Sequence, residues 1–112
     1  MFISPTKGEL SMESVAEEIS IYINEEPDRF YRVVIGSDSQ GKRTNGKEQL
    51  DFVSAIVVHR VGRGARYFWR KEKLVKHISL KEKIYTETTM SLSLASEFVP
   101  ILRAKVSPTK YD

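Results

Sequence analysis

The sequence predicts an α/β domain in which helices flank a three-stranded antiparallel meander. The signs are a capped amphipathic segment before residue 25, three β-branched or aromatic runs between residues 30 and 71, and a long helical pattern after Ser79. At 112 residues the chain is long enough for one core and too short for two.

Ser11 stands where it can cap a helix running to about Asn24, and Glu13, Glu17 and Glu18 put negative charge near its start. Val15, Ile19, Tyr22 and Ile23 fall on one side of that helix. The group Glu25–Asp28 ends it, because Pro27 has no N–H to continue the ladder. The first strand is expected from Phe30 to about Asp38, and the second from Leu50 to Arg60. The polar stretch joining them contains the turn signal Asn45-Gly46. The second strand is apolar on both sides of its pleat, which predicts cover on both faces. A third strand follows the turn VGRG over about Ala65 to Lys71, with Tyr67 and Trp69 on one face and Phe68 on the other. Ser79 and Glu82 have capping-box spacing for a helix to about Val99, where Pro100 is expected to disturb it.

Charge is divided along the chain. Seven acids and one base precede Arg29, and from Arg29 onward there are seventeen bases and eight acids, so an acidic helix leads into a basic body able to attract a polyanion. The absence of cysteine excludes disulfides and thiolate metal sites and fits a cytoplasmic location. No apolar run is long enough to span a membrane. The two histidines, His59 and His77, lack zinc-site spacing.

Two acids draw attention. Asp38 closes the first strand on the same parity as Val34, Gly36 and Gln40, and Gly36 leaves room on that face for a helix or a ligand. An ordinary Asx turn is the alternative reading. Glu87 interrupts the helical stripe formed by Leu80, Ile84, Ser91, Leu94, Ala95 and Phe98, so its carboxylate needs a metal, a basic partner or solvent. Were the helix to cross the Asp38 face, the two carboxylates would converge on a site suited to Mg²⁺ or Mn²⁺. Basic residues, among them Arg63, Arg66, Arg70 and Lys73, cluster between the second strand and the second helix, with Tyr67 and Trp69 interleaved. That pattern makes them candidate nucleic-acid contacts.

The run IGSDSQ, paired with IYTETTMSLSLA in the later helix, resembles the YkuK-like family of uncharacterised ribonuclease H-like proteins over about Asp28 to Leu102. The resemblance implies a ribonuclease H-like sheet whose first three strands are antiparallel, followed by a helix, a fourth strand and further elements. On that pattern residues 1–28 are an acidic helix and linker. Residues 29–112 are an incomplete core, truncated before the later strands, and both parts belong to a single domain. It further implies metal-dependent hydrolysis of nucleic-acid phosphodiesters, with Asp38 and Glu87 as catalytic residues holding Mg²⁺ or Mn²⁺. Ser37, Ser39 and Gln40 would lie around those ligands or contact phosphate. A third carboxylate would belong on the fourth strand, a position for which Asp112 comes too early. The alternatives are a noncatalytic structural or interaction protein and a basic nucleic-acid-binding module. Without a fourth strand the first lies at a sheet edge, which predicts a homo-oligomer paired through that edge.

Overall fold

A computed structural model gives the backbone of all residues except 45–46 and 75–78, and side chains except those of 42–49 and 74–78. The expected Asn45-Gly46 turn and His77 therefore lie outside the described residues. The elements are β1 (Phe2–Ser4), β2 (Gly8–Leu10), α1 (Met12–Glu25), β3 (Tyr31–Thr44), β4 (Lys47–Arg60), β5 (Gly64–Leu74) and α2 (Leu80–Lys105), then a 3-10 turn at Pro108–Lys110. The sheet order is β2-β1-β5-β4-β3, with every neighbouring pair antiparallel. The meander is as expected but longer, and the hairpin β1–β2 extends it on the β5 side.

Alternation divides the sheet into two faces. Phe2, Tyr31, Ile56, Val58 and Phe68 point to one face and join Val15, Ala16, Ile19, Tyr22 and Ile23 of α1 with Leu94, Phe98 and Leu102 of α2 in one core. The first helix thus shares its core with the meander. On the opposite face Ile3, Val34 and Tyr67 are exposed. The apolar residues of β4 on that side, Val53, Ala55 and Val57, are half-buried without a helix over them among the described residues. The expectation of cover on both faces is therefore corrected. Neighbouring strands shield these small side chains, so they need no second layer to be apolar.

Both helices carry the predicted serine caps: Ser11 Oγ accepts from the Ser14 N–H at 3.1 Å, and Ser79 Oγ from the Glu82 N–H at 3.2 Å. Helix α2 passes through Pro100 to Lys105. The column Leu94, Phe98, Leu102, fully buried on both sides of the proline, outweighs an interruption that costs about 3 kcal/mol in an isolated helix. Pro100 itself is exposed, which leaves solvent to satisfy the carbonyl it frees.

Arg60 ties α1 to the sheet. Its guanidinium donates to the Tyr22 carbonyl at 2.8 Å, to the Tyr31 hydroxyl at 3.0 Å and to Glu25 Oε1 at 3.2 Å. It also pairs with Glu26 Oε2 at 2.8 Å and lies 4.0 Å from the centre of the Tyr22 ring. Tyr31 Oη donates to the Glu26 carbonyl at 2.8 Å. Helix α1 has no basic residue in its last turn, so Arg60 supplies from β4 the cation and donors its C-terminus lacks.

Candidate functional site

Asp38 and Glu87 reach β3, the edge strand, from different sides. Strand β3 keeps unbroken register with β4, so Ser37 and Ser39 face the helices while Asp38 faces away. Glu87 accepts a hydrogen bond from Ser39 Oγ at 2.5 Å, on the helix side. Beside it Ser37 Oγ and Ser54 Oγ are 2.8 Å apart, and Ser91 Oγ donates to the Glu87 carbonyl at 3.0 Å. Among the described residues Glu87 meets a serine rather than the basic partner that was its alternative reading. Asp38 and Glu87 thus flank one residue of the edge strand: Asp38 Oδ1 accepts from the Ser39 N–H, and Glu87 Oε1 from the Ser39 hydroxyl. Among the described residues no group of three or more His, Asp or Glu side chains is arranged to hold a metal ion.

On the other face Asp38 Oδ1 accepts from the Ser39 N–H at 2.9 Å, a local bond that fixes the side chain on the rim of the sheet. It borders a 390 Å³ cleft lined by Val34, Gly36, Gln40, Val53, Ala55 and Val57. The floor is low because the row Gly36, Ala55, Trp69 places two small residues beside the tryptophan. A Cβ built on Gly36 would meet nothing within 4 Å.

Strand β5 presents Tyr67, Trp69, Lys71 and Lys73 in succession on this same face, while Phe68 between them is buried against the helices. Arg32 and His59 pair across β3 and β4 at the far end of the face. Asp51, 1% exposed, lies 3.8 Å from Lys71, and Arg32 and Lys73 are exposed.

The four arginines and lysines singled out as nucleic-acid contacts do not form one surface. Arg66 stacks 4.7 Å from the centre of the Tyr22 ring and Arg70 5.1 Å from that of Phe2, both on the helix side. Arg63 is exposed in the β4–β5 turn, and Lys73 alone lies on the open face. The alternation of β5 separates them, a parity already legible in Tyr67 and Trp69. Arg32 was missed, although it shares strand parity with Val34, Gly36 and Asp38. Gln40 lines the cleft, whereas Ser39 is tied to Glu87 beneath α2. No helix among the described residues is long and apolar enough to cross a membrane.

Comparison with known proteins agrees with this fold. The chain is 29% identical over 100 residues to the uncharacterized protein YkuK of Bacillus subtilis, an alignment covering 88% of this chain and 56% of that protein. It thus spans little more than half the length of the curated relative. No solved structure matches it significantly. The ribonuclease H-like family matches residues 14–111, and with the antiparallel meander followed by a long helix this places the chain in the ribonuclease H-like family.

Proposed function

We propose that this chain is a nucleic-acid-binding module that holds a polynucleotide on its open sheet face and does not itself cut it. The observation that carries this is the succession Tyr67, Trp69, Lys71, Lys73 on the uncovered side of β5, facing the same way as Arg32. Cations neutralise phosphates, and exposed rings accept bases of any sequence. Hydrolysis in the manner of the family would need the Asp38 and Glu87 carboxylates on one ion, and among the described residues no third acid or histidine joins them to hold it, which favours the binding reading. No metal-dependent step is assigned to this chain.

Fluorescence anisotropy with labelled oligonucleotides in EDTA tests the reading. Affinity is expected to fall about 10- to 30-fold between 50 and 200 mM salt, as for about three phosphate contacts. Arg32→Gln combined with Lys73→Gln should weaken binding and flatten that slope. Divalent-dependent cleavage lost in D38N and in Glu87→Gln would restore the hydrolase reading.

The edge of β3 favours a second, interaction role. The Val33 N–H donates to the Asp112 carbonyl at 2.8 Å, and the Asp112 N–H donates to the Tyr31 carbonyl at 2.9 Å, the pattern of a parallel bridge. By alternation the N–H groups of Ile35 and Ser37 also point outward, and the next, that of Ser39, is taken by Asp38. A short strand from a second copy fits between these limits. Sedimentation should then show self-association that persists in Ser37→Ala and is lost in Ser37→Pro, since only proline removes the outward donor. A concentration-independent monomer would remove this role.

A further inference from the structure

The open face has a shape that selects among polynucleotides. Successive same-face residues of a strand are about 6.8 Å apart, twice a rise of roughly 3.4 Å per residue. Bases along a duplex strand are spaced about 3.4 Å apart. Rings resting on both Tyr67 and Trp69 must therefore be splayed from one another, which a paired and stacked duplex forbids and an extended single strand allows. The cleft beside Trp69, at 390 Å³, is near the lower end of the roughly 300–1,000 Å³ of small-molecule sites, the scale of one nucleoside.

Charge fixes the orientation of such an occupant. Arg32 lies at one end of the face and Lys73 at the other, with Lys71 held 3.8 Å from the buried Asp51, so phosphates are drawn to the ends. Asp38, exposed at the cleft, repels phosphate but accepts hydrogen bonds from amines and ring N–H groups. With Oδ1 held by the Ser39 N–H, its carboxylate is pre-oriented.

We propose that the open face binds single-stranded nucleic acid, with one base seated over Gly36 and Ala55 and its donor edge turned to Asp38. Guanine is the preferred base, because its N1–H and N2–H₂ lie side by side and match both oxygens of a carboxylate. Thymine and uracil offer a single N–H between two carbonyls and are the poorest fit. This proposal rests on the reading of the chain as a nucleic-acid-binding module, and it names the substrate class of that site.

Anisotropy at fixed low salt decides it, using an octathymidine, the same octamer with one central guanosine, and the duplex of the latter. The guanosine octamer should bind about tenfold more tightly than octathymidine, in line with one good bidentate contact, and at least tenfold more tightly than its duplex. Gly36→Val puts a side chain into the cleft at a position where a Cβ meets nothing within 4 Å, and it should cost tenfold or more in affinity with an unchanged thermal melt. Ala55→Leu, which blocks the same space from β4, should do likewise. D38N should bring the ratio of guanosine-octamer to octathymidine affinity close to one, with octathymidine bound at least as tightly as by the wild type because a charge that repels phosphate is gone. Equal binding of duplex and single strand, or wild-type affinity in both filled variants, would overturn the proposal and leave the general binding reading standing. Absence of binding to every polynucleotide would overturn both.

Discussion

Alanine at Phe98 is expected to remove about 3–5 kcal/mol of stability, the range for a fully buried aromatic in a core that cannot collapse around the gap. Phe98 is 0% exposed, midway along the column Leu94, Phe98, Leu102 that anchors α2 to the sheet. Domains of this size are stable by only about 5–15 kcal/mol, so the loss is a large part of the whole. Urea unfolding should show a lower midpoint with an unchanged slope. Tyr85→Ala is the control. Tyr85 is 72% exposed on the same helix, and its loss should stay within about 0.5 kcal/mol. Equal effects at the two positions would mean that α2 is not seated as described.

Methionine at Arg60 is expected to lower the melting temperature by roughly 10 °C or more at neutral pH, since it strands several polar groups together. Burial opposes the arginine's charge, yet its hydrogen bonds to Tyr31 and Glu25 raise its pKa above the usual value. Without it the Tyr22 carbonyl loses a donor inside the core, and Glu26 loses a cation at 2.8 Å. The hydrogen bond from Arg29 chiefly holds the Glu26 pKa below its ordinary 4.5. Burial opposes this, and the charges of Arg60, Arg29 and Arg63 add to it. A depressed carboxylate stabilises the fold above its unfolded pKa, and that contribution is lost as pH falls through its folded pKa. The difference between wild type and Arg60→Met should therefore narrow below about pH 4.5 and keep the part due to the Tyr22 and Tyr31 contacts. Thermal melts from pH 7 to pH 3 check both the size and the narrowing.

The elements were legible because local chemistry announced them. Ser11 and Ser79 cap the helices as their spacing predicts, and the odd–even pattern of Tyr67, Phe68 and Trp69 assigns the faces of β5. The N-terminal hairpin was not legible, since β1 and β2 have three residues each, too few for a period to show. The run through Pro100 was hidden because burial of distant leucines decides it, not local propensity. The site was half legible. Parity alone put Asp38 beside Gly36 and Gln40, but which face the second helix covers is a tertiary fact, and it set Glu87 against the Ser39 hydroxyl. Arg60 escaped notice because an arginine ending an apolar strand looks like an ordinary solvated terminus until its partners on α1 are known.

Strand β1 meets β5 through one register pair, Ile3 opposite Trp69, and Trp69 is the protein's sole tryptophan. Its indole emission therefore reports two events at one place. Undocking of the N-terminal hairpin would wet the ring and shift the emission to the red, whereas a base laid on it would quench the signal without that shift. A single fluorimeter trace can tell loosening of the sheet from occupation of its surface, with no label attached.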